Sequence, residues 1–427
     1  MRRLLFLLSL ALVAQSSPRA IAAPPDGVEM IVPAGEATKY WPRWRGPSAQ
    51  GHVTGAGYPD TWSDSKNVLW KVPVPGTGNS SPIVWGDYIF MATSYDEGTR
   101  KSILCFRRSD GRKLWETFAP AAPAETPYPK NGHASGTPVT DGTRVYAYLG
   151  NHGLMAVDFS GRQVWHRNLG VFDASHGTAG SPILYKDRVI FYQDQREPGG
   201  SFVAAFEAAT GAPVWRTPRQ EQVGWGTPIA IRAGDRDELI VSSMRRVYAY
   251  DPNSGRELWS AGGNLFEVIP TPVVGDGLVF CSSGRAGPTL AIRPGGSGDV
   301  TATHVVWKAA KGSPFVPSTL VHEGVLYMVN DMASIATGYD SKTGEVLWQG
   351  RLGEAAREGF SASPVIVDGK VYFTNDEGET FVLAAGREFK LLHVNRLNAR
   401  TIASPALVEG KWYFRTDKEL IAIGGRS

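Results

Sequence analysis

Short runs of β-branched and aromatic residues, cut by Gly, Asp and Asn, dominate the hydrophobic pattern of the chain. Residues 362–390 show one unit clearly: Pro364 to Val367 reads as a strand, Asp368-Gly369 as a tight turn, and Val371 to Thr374 as a second strand. Asn375 to Gly378 then reads as a loop, Thr380 to Leu383 as a third strand, and Gly386 as a further turn. The short length, the β-branched enrichment and the Gly/Asp punctuation favour strands over helix. A fourth strand carries a Trp, as in Glu345-Val346-Leu347-Trp348.

The unit recurs. A small residue followed by Pro and an apolar stretch appears at Ser81-Pro82, Thr137-Pro138, Ser181-Pro182, Thr227-Pro228, Thr271-Pro272, Val316-Pro317, Ser363-Pro364 and Ser404-Pro405. Between them fall apolar-Trp pairs ending at Trp70, Trp115, Trp165, Trp215, Trp259, Trp307 and Trp348, with Leu391-Leu392 in the eighth place. Four short antiparallel strands every roughly 45 residues describe a propeller blade. The pattern therefore predicts an all-β fold, an eight-bladed β-propeller of four-stranded blades. Because Asn67 to Val72 precedes the first Pro strand and the last blade ends after three strands at Ile423, the N-terminal strand is expected to complete blade 8 and close the ring. Residues 63–427 form the propeller in this reading, and residues 23–62 an N-terminal extension.

Residues 1–22 read differently. Met1-Arg2-Arg3 is followed by an apolar run from Leu4 to Val13 and a small-residue site at Ala20-Ile21-Ala22, the parts of a secretory signal peptide. Its three arginines account for the formal charge of +3, leaving 41 basic against 41 acidic residues. A balanced charge excludes the basic footprint of a nucleic-acid binder. No Cys adjoins the cleavage site and no later segment reaches about 18 apolar residues. The expectation is an exported, periplasmic or secreted monomer without a lipid anchor or transmembrane segment. The two cysteines, Cys105 and Cys281, fall in blades 1 and 5, too far apart for a disulfide.

One segment resembles a known family. Ala249-Tyr250-Asp251-Pro252-Asn253-Ser254-Gly255-Arg256-Glu257-Leu258-Trp259 is similar to the A-x-D-x-x-T/S-G-x-x-x-W tryptophan-docking repeat of quinoprotein, PQQ-type propellers. Tyr339 to Trp348 matches nearly as well through Asp340, Gly344 and Trp348; Phe206 to Trp215 and Phe159 to Trp165 are degraded copies. In such a turn Asp caps, Gly takes φ > 0, and Trp reaches the next blade. Similar repeats occur in PQQ-dependent alcohol dehydrogenases, in the non-catalytic BamB family of outer-membrane assembly factors, and in exported PQQ-like repeat proteins. Trp41 to Pro47 looks like the leader of that last group and is read as a strap on the propeller.

Strand order puts first-to-second and third-to-fourth turns on one face, where they read as uniformly tight. Second-to-third loops and inter-blade connections share the other face, which holds the long segments Thr117 to Gly136 and Gln193 to Ser201. This is the expected binding face. Its candidate residues are His133, His176, Trp225, Arg285, Asn330, Asp331, Asn375 and Asp376. An Asn-Asp pair suits either oxygen ligation of Ca²⁺ or plain turn geometry. The two His lie on separate loops without metal-ligand spacing.

No nucleophile elbow, H-E-x-x-H, phosphate loop, adjacent Cys pair or C-x-x-C-H is present. The expectation is a non-catalytic scaffold binding a protein, peptide or glycan, with no cofactor. The rival that the resemblance implies is a PQQ- and Ca²⁺-dependent oxidoreductase on alcohols or sugars, with Asp331 or Asp376 as its catalytic base. A carbohydrate-active enzyme would need paired carboxylates at the channel mouth, which no motif marks.

Overall fold

The computed structural model describes residues 27–425, apart from 198, 223, 286 and 355–358. The signal segment expected over residues 1–22 lies outside the described residues. Eight antiparallel sheets follow one another along the chain as blades: 83–118, 139–167, 183–219, 229–262, 273–309, 320–351, 365–396 and 406–424. Blade 8 takes its fourth strand from the other end of the chain. Val68–Pro73 pairs antiparallel with Glu419–Gly424, so the ring closes as the order of repeats predicts.

A second closure runs around the axis. The residue two places before each innermost strand donates its backbone N–H to the Ser or Thr hydroxyl at the same place in the next blade. The links run from Ser81 through Thr137, Ser181, Thr227, Thr271, Ser318, Ser363 and Ser404 back to Ser81, at 2.8–3.1 Å. These are the small residues of the repeats, with one correction. In blade 6 the ring member is Ser318, so Val316-Pro317 stands two residues early, in the connection; Thr319 replaces the usual proline before Leu320–His322. The hydroxyl decides the register, because the orphan N–H of Thr271 requires an acceptor and the Val316 side chain offers no oxygen.

The apolar-Trp pairs also acquire a cause. Every outermost strand has a register shift at the residue before the Trp or its equivalent: Leu69, Leu114, Val164, Val214, Leu258, Val306, Leu347 and Leu392, so that in blade 7 the Trp place belongs to His393, one residue beyond the Leu391-Leu392 pair expected there. This bulged residue bends each outer edge, blunting strand addition, and re-aims the next side chain. The Trp then reaches the third-to-fourth turn of the following blade. Trp70, Trp115, Trp165, Trp215, Trp307 and Trp348 donate Nε1–H to carbonyls of Arg108, Phe159, Ala208, Pro252, Ser341 and Gly386 at 2.9–3.2 Å. In the turns themselves, Asp251 accepts Asn253 N–H and Asp340 accepts Lys342 and Thr343 N–H.

Trp259 breaks the rule: it bonds Glu238 Oε2 in its own blade at 2.8 Å. The turn it would meet in blade 5 is replaced by a long third-to-fourth connection, residues 293–304. There Gly298–Asp299 pairs parallel with Trp259 and Ser260, and a helical turn spans Thr301–His304. The tight-turn face is therefore not uniformly tight.

The N-terminal extension lies across the tight-turn end of the channel. Val28–Met30 pairs with the free inner edge of blade 4. Further on, Trp41 pairs with Val84 in blade 1, Pro42 accepts from Thr140 in blade 2, and Gln50 Oε1 accepts Val274 N–H in blade 5. Arg45 Nη2 donates to Thr319 O in blade 6, and Gly51 O accepts Ile366 N–H in blade 7. Trp62 then packs on Tyr372 and Trp412 before the chain enters blade 8. Cys105 and Cys281 are free and buried, in blades 1 and 5.

Two glycines separate docking from turn geometry. Gly255 has φ +73°, and a Cβ there would meet the Trp215 ring at 2.4 Å; Gly369 has φ +66° with nothing within 4 Å. Gly369→Ala should cost about 1 kcal/mol of strain, whereas Gly255→Ala should cost about 2–4 kcal/mol once overpacking is added. Urea unfolding of the two variants checks this, and equal costs would contradict the docking role.

Candidate functional site

With one end of the channel covered by the N-terminal extension, the long-loop face is the open approach. It is built around the connection between blades 1 and 2, residues 119–136. Pro120, Pro123, Pro127 and Pro129 deny this segment backbone donors and hold it extended, so it forms neither helix nor strand. It is nonetheless pinned along its length. Glu125 makes a buried ion pair with Lys101 of blade 1 at 2.6 Å, and its other oxygen accepts Asn151 N–H at 2.8 Å. Burial lowers the Lys101 pKa, while Glu125 pulls it back. Asn79 Nδ2 donates to the Lys130 and Asn131 carbonyls. Tyr128 N–H and Asn131 Nδ2 both donate to His176 O, which ties the segment to blade 3. Lys130 Nζ lies 2.6 Å from Asp376 Oδ2 in blade 7. The connection is thus a lid across the mouth of the channel.

The sequence candidates sort into three places. Under the lid tip, His176 stacks on Trp225, with ring centroids 5.9 Å apart, and Tyr128 stands edge-on to His176 at 5.6 Å. Trp225 Nε1 donates to Gly177 O. Beside them Arg285 makes a bidentate pair with Glu267 and lies over the Phe315 ring. At blades 6 and 7 Asp331 and Asp376 are both buried and both feel Lys130. Burial raises both carboxyl pKa values, that of Asp376 to about 6 against the opposing pull of Lys130, Ser361 and Arg400. Asp331 Oδ1 accepts Phe315 N–H at 2.8 Å.

The two Asn of these loops hold turns. Asn330 Oδ1 accepts Ala333 N–H, and Asn375 exchanges hydrogen bonds with Glu379. His133 lies elsewhere, against Gly98, its Nδ1 buried without a partner among the described residues and its pKa lowered by burial and by Lys101. It lines a cavity of about 10 Å³, room for one water. Among the described residues, no group of three His, Cys, Asp or Glu is placed to hold a metal ion.

Sequence reasoning missed Lys101, Glu125, Tyr128 and Lys130, although the unusual length of their loop marked the segment. It also missed the exposed apolar side chains of this face: Tyr128 (56% exposed), Val171, Leu265, Phe266 (62%) and Met332 (60%). Leu265 and Phe266 adjoin the Glu267–Arg285 pair, and Trp225 N–H donates to Val268 O, so the aromatic and apolar groups of blades 3 to 5 are neighbours.

Residues 60–197 and 199–424 match the family model described as outer membrane protein assembly factor BamB. The chain belongs to that family. A curated BamB of Xanthomonas campestris pv. campestris is 28% identical over 144 residues, 34% of this chain and 32% of that protein, so the match spans about a third of the relative's length. Among solved structures, BamB from Moraxella catarrhalis aligns with 84% of this chain and 97% of its own at TM-score 0.61 and 14% identity. Quinohemoprotein alcohol dehydrogenase from Comamonas testosteroni aligns with 92% of this chain and 81% of its own at TM-score 0.66 and 12% identity. At these identities the structural likeness speaks for the fold alone.

Two predictions follow from the buried charges of the lid. Glu125→Gln strands the Lys101 ammonium in the interior and should cost about 3–5 kcal/mol, read as a fall in thermal midpoint. Asp376 behaves differently, because its native carboxyl holds a proton more tightly than the unfolded one. Its contribution to stability should therefore rise as pH falls from 7 through 6 towards 4, on the order of 2–3 kcal/mol in all. The thermal midpoint of the wild type relative to Asp376→Asn, measured at pH 7.5 and pH 5, should increase at the lower pH.

Proposed function

We propose that this chain is an exported scaffold that binds a protein partner through the long-loop face, on the periplasmic side of the outer membrane. One observation carries the reading. The face presents aromatic, Met and Arg side chains, Tyr128, Trp225, Phe266, Arg285 and Met332, in the composition enriched at protein interfaces. Solvent exposure of such groups on a pinned lid and rigid blades suits docking with little ordering cost. Family membership supports outer-membrane assembly as the setting. Among the described residues no helix is long and apolar enough to cross a membrane.

The alternative of a quinone with its divalent cation fits the residues poorly. Of the two buried carboxylates expected to serve it, Asp376 is already bonded by the Lys130 ammonium, which repels a second cation, and Asp331 Oδ1 is taken by Phe315 N–H. Asn330 and Asn375 spend their side-chain oxygens on turns. No redox step is assigned to this site.

The test is site-specific photo-crosslinking in the cell from positions 266 and 332. The expected product joins the chain to an outer-membrane assembly protein. Its yield should fall at least tenfold when the probe at one position is combined with Asp at the other, with the thermal midpoint unchanged. Crosslinks that are absent, or indifferent to the added Asp, would sink the reading.

A further inference from the structure

The lid delivers one charged group to a buried carboxylate supplied by blade 7. The Asp376 side chain has no solvent exposure, while that of Lys130 is 26% exposed. Asp376 Oδ2 receives both Lys130 Nζ at 2.6 Å and Ser361 Oγ at 3.0 Å. Asp376 Oδ1 is equally buried and has no hydrogen-bond partner among the described residues. A buried carboxylate oxygen without a donor carries a desolvation penalty that a bound donor would remove. Lys130 approaches from the solvent side on a segment without regular secondary structure, so it is the movable half of the pair.

The unsatisfied oxygen indicates what would fit better. In its seat Lys130 serves one oxygen of Asp376 and leaves the other bare. A guanidinium presents parallel N–H groups in a rigid fork that spans both oxygens of a carboxylate. Its single positive charge also replaces that of Lys130 like for like. We infer that Lys130 is a built-in occupant of a recess for an arginine side chain. When the lid lifts, an arginine of the bound partner takes its place on Asp376. The inference rests on the protein-binding reading above and names the group that this face recognises. The lid is then a gate held shut by an internal mimic of its ligand. Its buried anchor, Lys101–Glu125, keeps the hinge end in place while the tip moves.

The experiment uses the full mature chain at pH 7.5 and low salt, with N-acetyl-glycyl-arginyl-glycinamide as probe. The same peptide carrying citrulline, an uncharged arginine isostere, is the control. Lys130→Ala should bind the arginine peptide at least tenfold more tightly than the wild type, and the citrulline peptide no better than the wild type does. Adding Asp376→Asn to Lys130→Ala should abolish the gain. Hydrogen exchange over residues 117–136 should rise in Lys130→Ala with the propeller core unchanged, and fall again when peptide is added. Should Lys130→Ala perturb the fold, Lys130→Gln carries the same comparison. Equal affinity in wild type and variant, a gain that survives Asp376→Asn, or Ca²⁺ in place of peptide restoring protection would each overturn the inference. Loss of the peptide effect with crosslinks at 266 and 332 intact would remove the arginine recess alone. The reverse result would remove the outer-membrane partner and leave the recess.

Discussion

The structure depends on a circle of eight backbone N–H groups, each needing an acceptor that its own blade does not provide. The residue two places before each innermost strand stands outside the ladder, and in seven of eight blades the next residue is a proline, which keeps it extended. Its N–H would be orphaned in a buried place. The Ser or Thr hydroxyl of the neighbouring blade accepts it, and because every blade does the same the links return to Ser81. Each is worth only about 1 kcal/mol net, but a missing one would leave a buried donor bare. Small hydroxyl residues are required here because the eight inner ends converge on one axis.

Outside that circle the blades are joined by a different device, built on the bulge at each outer strand. The extra apolar residue tilts the Trp towards the following turn, whose carbonyl receives its N–H and whose glycine, in five of the six docked turns, leaves room for the ring. The same bulge makes the outer edges poor templates for strand addition, which a ring with one such edge per blade needs. Blade 4 shows the dependence by exception. Without a tight turn ahead of it, Trp259 folds back to Glu238, and the chain covers the edge with residues 298–304.

On the mouth side the physics changes from repetition to singularity. The lid is held by groups that occur once: a buried Lys101–Glu125 pair, a His176 carbonyl, and a carboxylate in blade 7. Each polar contact compensates a desolvation that the repeat does not impose. Changing this one loop would disturb neither the hydroxyl circle nor the Trp docking. The fold is therefore a constant support for a face that can be specialised.

Repetition is what made the fold legible. The Pro and Trp landmarks report constraints imposed eight times, so one degraded copy, such as Val316-Pro317 for Ser318, does not hide the period. The closure of blade 8 was equally readable, because strand count at the two ends leaves no other arrangement. The candidate site was legible only as a face and a set of loops. His176 and Trp225 met, Asp331 and Asp376 shared one ammonium, but His133 lay apart and the two Asn served turns. Lys130 carries no motif, and its partner lies 246 residues away; no local pattern encodes such a pair. The chain alone determined the blades, their number and their order, because those follow from local periodicity and from backbone groups that must be satisfied. Which side chains converge at the mouth was decided by the tertiary structure, because ring closure brings blades 1, 3 and 7 under a single loop.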